Sequence, residues 1–260
     1  MKIVIDTVAR VLTTVDGTRE RTHGLYTKEA FEAISREWVR IGWSLRYYHN
    51  FSWFGHPILQ LPEDLVRVQE VIWRVRPDVI VETGIFRGGS LIFYATLCEA
   101  MGRGRVIGVD IQIDASVREN LAAHPLAHRI AVFEGDSASA AIFHSVRESI
   151  APGESVLVLL DSCHSKQHVS RELELWSPLV TSGSWIVATD GIMRDLKDVP
   201  GGESSWGDDN PLAAAVEFAA SHPEFIAEQP PWLFHDGALT ENVTYWPGAW
   251  LRRLPDATGV

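Results

Sequence analysis

Two aspartates and a nearby histidine are the residues of this sequence with the clearest capacity for chemistry. Asp161 ends the apolar run of residues 155–162, and Asp190 ends the run of residues 184–190. If both runs are neighbouring parallel strands, both carboxylates leave the sheet at one edge, where hard oxygen ligands suit Mg²⁺ or Ca²⁺. His164 follows Asp161 by about one helical turn, and an imidazole with an ordinary pKa of about 6.5 could accept a proton there. The pattern predicts a metal site with a general base, acting on a hydroxyl group.

The same residues have simpler interpretations. Asp161 could cap the helix that begins near Ser165, and His168 could be an ordinary residue on the face of that helix. Cys163 is a small side chain with no partner for nucleophilic chemistry in the sequence around it. The spacing alone therefore leaves a structural role open for each of them.

A glycine-containing loop follows the first predicted strand of the sheet. The segment VIVETGIFRGGS places Gly84, Gly88 and Gly89 in a G-x-x-x-G-G pattern, which differs from the dinucleotide fingerprint G-x-G-x-x-G. Glycine lets the backbone approach a ligand closely, and the N-terminus of the following helix offers free N–H groups. A tight turn without a ligand is the alternative.

Acidic residues after the next two strands point to the same edge. Asp110 ends the second strand, where a carboxylate can accept both hydroxyls of a ribose. Asp136 and Ser137 follow the third strand, where an adenine would be recognised. Each acid could also be a helix cap. The three loops at adjacent strand ends favour an adenosyl cofactor without a pyrophosphate.

Short β-branched runs that alternate with helical patterns must position these residues. The predicted strands span residues 79–83, 105–110, 129–136, 155–162 and 184–190, and the helices lie near 89–101, 116–123, 138–150, 166–176 and 210–221. This alternation predicts a parallel sheet with helices on both faces. Two further runs, FIAEQPPWLFHD and NVTYWPGAWLRRL, indicate an antiparallel pair at one edge of the sheet.

Residues 1–62 are predicted to form a helical extension or cap, followed by the main domain over residues 63–260. The apolar residues of segment 27–50 recur at helical spacing: Phe31, Ile34, Trp38, Ile41 and Leu45. A second helix is predicted to begin at Pro62 and to end before Pro77.

Composition excludes several classes of protein. The 260 residues include 23 Lys and Arg against 34 Asp and Glu, a net charge of −11, so nucleic acid and anionic membranes are not expected as main partners. The 2 cysteines exclude a disulfide-dense scaffold and a cysteine-rich zinc module. Because no run of about 18 apolar residues or leader pattern occurs, we expect a cytoplasmic protein.

Several segments together resemble the cephalosporin hydroxylase / rhamnosyl O-methyltransferase family. They are VETGIFRGGSLIFYA, GRVIGVDIQI, HPLAHRIAVFEGDS, LLDSCHSKQHV and NVTYWPGAWLRRL, within a resemblance that covers roughly residues 50–253. It implies a Rossmann-like α/β fold of class I methyltransferases: a mostly parallel seven-stranded sheet with a C-terminal antiparallel hairpin. It also implies S-adenosylmethionine (SAM) as cofactor and a divalent metal, usually Mg²⁺.

The resemblance assigns roles to particular residues. Asp161 and Asp190 match metal positions. The position of His164 one turn after Asp161, rather than the resemblance, is the reason to expect these two residues to act in catalysis. The SAM-site motifs match Glu82, Gly84, Ser90, Asp110, Asp136 and Ser137. Thr83, Gly88 and Gly89, in the same loop, are also expected to bind the cofactor.

One position departs from the family pattern. The family commonly has an adjacent Glu-Asp pair where this sequence has Thr189-Asp190, which predicts weaker metal binding or a third acid from elsewhere. Asp208 and Asp209 are candidates, in a loop over residues 201–210 that could be either a lid or a surface connection.

The resemblance thus implies a SAM-dependent O-methyltransferase that acts on a hydroxyl of a deoxysugar in bacterial natural-product biosynthesis. The acceptor would be rhamnose-like, nucleotide-linked or already in a glycoside, and Trp53, Trp206 and Trp232 could stack on a sugar face. A homo-oligomer is expected, with the aromatic-rich first 50 residues at its interfaces. The alternatives are a cephalosporin-type hydroxylation or methoxylation component, an NAD-linked oxidoreductase and a non-catalytic SAM-binding subunit.

Overall fold

The N-terminal segment begins with a small antiparallel sheet. The computed structural model describes residues 1–255, and strands β1 (Lys2–Asp6), β2 (Val11–Asp16) and β3 (Arg19–Gly24) pair in chain order. The prediction that residues 1–62 form a helical extension is therefore wrong for residues 2–24. Gly17, with φ +58°, forms the tight turn between β2 and β3, and a turn of this type favours a hairpin over a helix.

Helix α1 (Lys28–Ser44) follows and starts at Thr27, whose hydroxyl accepts a hydrogen bond from the Ala30 N–H. The helix is shorter than the predicted segment of residues 27–50, because Arg46 adopts a left-handed conformation and a 3-10 turn follows at Tyr47–Asn50. Its regular apolar stripe faces outward, with 36–75% of each residue exposed: Phe31, Ile34, Trp38, Ile41 and Leu45. The opposite face packs against the rest of the protein, so the stripe is not a core contact.

A short hairpin and a second helix connect this segment to the sheet. Strands β4 (Ser52–Trp53) and β5 (His56–Pro57) form the hairpin, and helix α2 spans Pro62–Val75. The proline at its first turn and the left-handed Arg76 after its last turn agree with the predicted bounds.

Seven strands form the main sheet. They are β6 (Val79–Thr83), β7 (Arg105–Asp110), β8 (Ile130–Glu134), β9 (Val156–Leu160), β10 (Trp185–Ala188), β11 (Phe225–Ala227) and β12 (Trp250–Arg253). Their order is β11-β12-β10-β9-β6-β7-β8, with β6 to β10 parallel and β12 antiparallel to both of its neighbours. The predicted mostly parallel sheet with a C-terminal antiparallel pair is confirmed.

Helices cover both faces of the sheet. They are α3 (Gly89–Met101), α4 (Ala115–Ala123), α5 (Ala140–Glu148), α6 (Lys166–Trp176) and α7 (Pro211–Ser221). Two separate clusters of buried apolar residues, one on each face, hold the three layers together. Every residue of β6 and of β9 is buried, as expected for the central strands of such a sheet. In the part of the chain that the structure describes, no helix is long and apolar enough to cross a bilayer.

Candidate active site

A cavity of about 480 Å³ lies at the carboxyl ends of the parallel strands. It is lined by Trp43, Tyr48, His49, Leu59, Gly84, Phe86, Asp110, Ile111, Asp136, Ser137, Asp161, Ser162, Cys163, His164, His168 and Asp190. Two larger grooves, of about 830 and 690 Å³, border α1 and contain none of the strand-end acids. The chemistry expected from the sequence is therefore concentrated in the smaller cavity.

Asp161, His164 and Asp190 converge in this cavity. One ligand atom of each lies within 4.8 Å of the others, and the His164 Nε2 is 3.4 Å from a carboxylate oxygen of Asp190. Asp161 and Asp190 follow the neighbouring strands β9 and β10, which brings their side chains to one edge. Asp161 does not cap helix α6, because the Ser165 hydroxyl accepts the hydrogen bond from the His168 N–H. The structure thus brings together the residues that the sequence predicted to be neighbours.

The two carboxylates are held in different ways. Gln60 Nε2 donates to Asp161 Oδ2 at 2.8 Å, and the Thr189 hydroxyl donates to the other oxygen of Asp161. Asp190 adopts a left-handed conformation with φ +57° at the start of the 3-10 helix Gly191–Asp195. Such a conformation costs about 1–3 kcal/mol for a residue with a side chain, so the surrounding structure must hold Asp190 in place.

The surroundings shift the pKa of all three groups. Burial, and then the neighbouring Asp190, raise the pKa of Asp161, while burial also raises the pKa of Asp190, partly opposed by the Trp246 side chain. Burial lowers the pKa of His164, partly opposed by Asp161. A neutral imidazole therefore faces two carboxylates whose charges repel each other, and a bound cation would favour the ionised form of both.

The donor set fits a divalent cation. The carboxylates of Asp161 and Asp190 can bind one side of an ion and leave positions for water or substrate oxygens, and the His164 imidazole lies beside them. Thr189 supplies no carboxylate, and Asp208 and Asp209 do not replace it, because neither lines the cavity. Asp209 instead accepts a hydrogen bond from the Lys166 N–H at the start of α6, at 2.6 Å.

Four of the predicted cofactor residues line the same cavity: Gly84, Asp110, Asp136 and Ser137. Asp110 Oδ2 accepts hydrogen bonds from the N–H groups of Ile85 and Phe86, at 2.9 and 3.1 Å, so this carboxylate shapes the loop after β6 rather than capping a helix. The Asp136 carboxylate accepts from the Ala138 N–H two residues on, at 2.9 Å.

The other predicted cofactor residues, Glu82, Thr83, Gly88, Gly89 and Ser90, do not line this cavity. Glu82 is fully buried and accepts a hydrogen bond from the Ser90 hydroxyl at 2.6 Å. Burial, and then Asp161, raise the pKa of Glu82 well above its ordinary value, which favours its neutral form. Gly89 and Ser90 line a recess of about 40 Å³ that shares Gly84 and Asp161 with the cavity.

The glycines of this loop are required by close packing within the chain. A Cβ on Gly84, where φ is +82°, would lie 2.1 Å from the Asp161 carbonyl oxygen. A Cβ on Gly89 would lie equally close, at 2.1 Å, to the carbonyl oxygen of Pro57. Both glycines therefore let neighbouring backbone segments meet at the edge of the cavity.

Sequence reasoning missed part of the cavity wall. Trp43, Tyr48 and His49 line it, although the loop tryptophans expected to stack on a sugar do not. Trp53 instead donates to the Thr96 hydroxyl, Trp206 packs against Trp43, and Trp232 donates to Asn242. The signal available in the sequence was the position of Trp43 outside the regular apolar stripe of α1.

A buried polar network forms another part of the wall. His168 Nε2 is 3.2 Å from the Ser137 hydroxyl and 3.1 Å from the Ser162 hydroxyl, and Ser162 donates to the buried Glu172 at 2.8 Å. The hydrogen bond to Glu172 raises the pKa of His168. His168 is thus more than an ordinary helix-face histidine, since it connects the loops after β8 and β9.

The strand order and the site at the carboxyl ends of the strands define the class of protein as a Rossmann-like methyltransferase with a class I fold. A profile described as "Rhamnosyl O-methyltransferase/CmcI" matches residues 45–254. The chain belongs to this family, and it is accordingly a SAM-dependent O-methyltransferase with SAM as its cofactor.

Individual relatives agree with this assignment. The chain is 30% identical over 165 residues to a rhamnosyl O-methyltransferase of Mycobacterium leprae, covering 59% of this chain and 68% of the relative. It is 27% identical over 166 residues to the enzyme of the same name from Mycobacterium tuberculosis H37Rv, covering 60% and 64%. The chain therefore spans about two thirds of the length of these relatives.

Solved structures show the same fold. An apo structure of CmcI matches with a TM-score of 0.53 at 20% identity, covering 80% of this chain and 78% of that chain. A CmcI structure described as Mg-SAM matches with a TM-score of 0.52 at 20% identity, covering 79% and 77%. At this level of identity, the similarity establishes the common architecture.

Proposed function

We propose that this enzyme methylates a hydroxyl of a deoxysugar, with help from a divalent metal ion. The observation that carries the proposal is the meeting of Asp161, His164 and Asp190 within 4.8 Å in the cavity that also contains Gly84, Asp110 and Ser137. A candidate base, two candidate metal ligands and three of the predicted cofactor residues therefore face the same space, as a transfer between two bound molecules requires.

The proposed class of acceptor, a deoxysugar, is based on the names of the matching relatives. The curated proteins that match are named rhamnosyl O-methyltransferases, which supports a rhamnose-like sugar of a bacterial natural product as the acceptor. The sugar would be nucleotide-linked or already part of a glycoside. A cavity of about 480 Å³ is large enough for a small molecule of this kind.

His164 is the proposed general base. Its lowered pKa keeps the imidazole neutral near pH 7, so that Nε2 can accept the proton of the acceptor hydroxyl. Asp190, at 3.4 Å from Nε2, stabilises the imidazolium that results. General-base catalysis of this kind contributes about 10²–10⁴-fold to a rate.

Asp161 and Asp190 are the proposed metal ligands. A divalent ion bound by them would lower the pKa of a coordinated acceptor hydroxyl. Gln60 and Thr189 keep the Asp161 carboxylate in one orientation through their hydrogen bonds. The protein thereby fixes the position of the hydroxyl relative to His164.

The cofactor residues are proposed to divide between two spaces. Gly84, Asp110, Asp136 and Ser137 would contact the adenosyl part in the cavity, and Gly89 and Ser90 would face the recess beside it. SAM supplies an activated methyl group, so the main contribution of the protein is alignment of the two substrates. Glu82 and Thr83 are buried at the end of β6 and would hold the loop that follows this strand in place.

Calorimetric titration tests the proposal. S-adenosylhomocysteine (SAH) is titrated into metal-stripped protein, and methyl α-L-rhamnopyranoside and a nucleotide-linked rhamnose are then titrated into the SAH complex with and without Mg²⁺. Micromolar SAH binding, with sugar binding that requires Mg²⁺, is the expected result. Sugar binding that is equally strong without metal would contradict the metal role, and absence of sugar binding would contradict the acceptor class.

A further inference from the structure

Part of the cavity wall comes from outside the main sheet. Trp43 lies in the last turn of α1, and Tyr48 and His49 lie in the 3-10 turn that follows it. All three line the cavity together with Asp161, His164 and Asp190. The N-terminal segment therefore contributes directly to the space in which the reaction is proposed to occur.

The rings of this wall are held in fixed positions. The centroids of Trp43 and Tyr48 are 5.2 Å apart, and Tyr245 packs against both, at 5.3 and 5.8 Å. Trp206 contacts Trp43 edge to face at 6.4 Å. Tyr245 is 2% exposed and lies so close to Gly42 that a Cβ there would be 2.9 Å from its hydroxyl. Packing of this density preorganises the two cavity-lining rings.

The Tyr48 hydroxyl is available for a ligand. Within residues 1–255 it makes no hydrogen bond, although its ring is only partly exposed. Tyr48 and Asp190 line the same cavity, and burial, and then the charge of Asp190, raise the pKa of Tyr48. A tyrosine in this position offers an apolar ring with a polar group at its edge.

We propose that Trp43 and Tyr48 form the acceptor subsite of the enzyme, in which the apolar face of a deoxyhexose ring packs on the indole and a ring hydroxyl bonds to the Tyr48 hydroxyl. This inference rests on the proposed function, and it adds the residues that select the acceptor. A deoxyhexose suits the wall because a methyl group and axial C–H bonds give one side of the sugar an apolar character, while its hydroxyls reach the acids. Neither residue takes part in proton transfer.

Steady-state kinetics with SAM, Mg²⁺ and methyl α-L-rhamnopyranoside tests the subsite. We expect Trp43→Ala to raise the sugar KM about tenfold, with kcat and the Kd for SAH within about twofold of the wild type. Trp43→Phe keeps an aromatic ring and should recover most of the loss, and Tyr48→Phe should raise KM by a smaller factor. Trp73→Ala, which removes a half-exposed tryptophan of α2 outside the cavity, is the matched control and should leave KM unchanged.

The outcomes separate this inference from the proposed function. An unchanged sugar KM in Trp43→Ala overturns the subsite while the proposed function stands. An equal loss of SAH affinity in that variant, or a loss in Trp43→Phe as large as in Trp43→Ala, also overturns it, because the defect would then be structural. If the wild type binds SAH but does not methylate the rhamnoside, the acceptor class of the proposed function fails, and the subsite fails with it.

Discussion

Asp161 is held by the protein at both of its oxygens. Gln60 and Thr189 each donate one hydrogen bond, and Gln60 is itself 6% exposed. A carboxylate has about four lone-pair sites, so these two bonds orient Asp161 and still leave room for a ligand. Thr189 therefore has a positioning role here, although it supplies no carboxylate beside Asp190.

Replacement of the proposed base should affect turnover and not cofactor binding. We expect His164→Ala to reduce kcat about 10²–10⁴-fold because the variant lacks the imidazole that is paired with Asp190. The Kd for SAH, measured by calorimetry, should stay near the wild-type value. His128→Ala, at an exposed histidine outside the cavity, is the control. Full activity of His164→Ala would show that another group takes the proton.

The isosteric change Asp161→Asn tests the metal site. The amide keeps the size of the side chain and one oxygen for Gln60, but it removes one of the two negative charges that bind a cation. We expect the Mg²⁺ affinity measured by calorimetry to fall by at least about tenfold and turnover to fall with it. Unchanged Mg²⁺ affinity in this variant would place the metal elsewhere or exclude it from the reaction.

At the scale of the elements, the site depends on the contact between helix α3 and the short β4–β5 hairpin. Gly89 begins α3, and its Cα faces the Pro57 carbonyl so closely that a methyl group has no space. The segment after Pro57 leads to Gln60, which holds Asp161. A displacement of the hairpin is thus transmitted to a proposed metal ligand.

The substitution Gly89→Ala should therefore destabilise the protein by about 1–3 kcal/mol, the usual cost of overpacking. Gly237→Ala is a suitable control because a Cβ there meets no atom within 4 Å. Chemical denaturation measures both variants against the wild type. If Gly89→Ala is as stable as Gly237→Ala, the hairpin moves freely, and it does not position Asp161 in the way inferred here.

The elements differ in how well the sequence predicts them. The bounds of β6, β7, α3 and α6 agree with the sequence to the residue, because buried parallel strands are continuous apolar runs and glycine or serine begins each helix. The N-terminal sheet escaped prediction since Leu12 is its only fully buried strand residue, so its strands lack an alternating pattern.

The residues of the candidate site also differ in how well the sequence predicts them. Strand ends are local features, and the sequence therefore places Asp110, Asp161 and Asp190 at one edge. Trp43 lines the cavity and is held there by long-range contacts with Trp206 and Tyr245, which its position outside the apolar stripe of α1 does not identify. Periodicity identifies the apolar stripe of α1 but does not determine whether the protein core or another surface covers it.

At the scale of the whole molecule, self-association stays a prediction from the sequence. We expect the outward-facing apolar stripe of α1 to form the interface between copies of the chain. Ile41 and Leu45 are 57% and 75% exposed on that stripe. Ile41→Glu should then lower the mass measured by sedimentation, because a charge at the centre of an apolar interface is unfavourable. Val216→Glu, at a residue 56% exposed on α7, is the control. An unchanged mass for Ile41→Glu would remove this stripe as an interface.

Asp64, a buried acid of helix α2, accepts hydrogen bonds from the C-terminal segment. Asp64 is 2% exposed and accepts hydrogen bonds from the Thr244 hydroxyl and, at 2.9 Å, from the Tyr245 N–H. Burial raises the pKa of Asp64 from 3.8 to about 7, although both hydrogen bonds oppose this shift. The folded protein therefore keeps a proton on Asp64 at pH values where the unfolded chain has lost it.

Because of this difference in bound protons, Asp64 makes the protein less stable as the pH rises. Between about pH 4 and 7 the folded state binds more protons than the unfolded state at Asp64, so the free energy of unfolding decreases as the pH rises, and above pH 7 this contribution is constant. Asp64→Asn has no proton to lose, and its amide can still bond to Thr244 and to the Tyr245 N–H. We expect the stability of the variant relative to the wild type to increase from pH 5 to pH 8, by no more than about 3 kcal/mol.

Urea denaturation of both proteins at pH 5 and pH 8, without metal, measures this double difference. Other buried acids such as Glu82 are present in both proteins, so their contributions cancel. Glu63→Gln, which removes a charge from the exposed neighbour of Asp64 on α2, should show no comparable change with pH. A relative stability of Asp64→Asn that is the same at both pH values would mean that Asp64 is ionised in the folded protein across this range. Its contact with the C-terminal segment would then be a charged one, stabilised by Thr244 and the Tyr245 N–H.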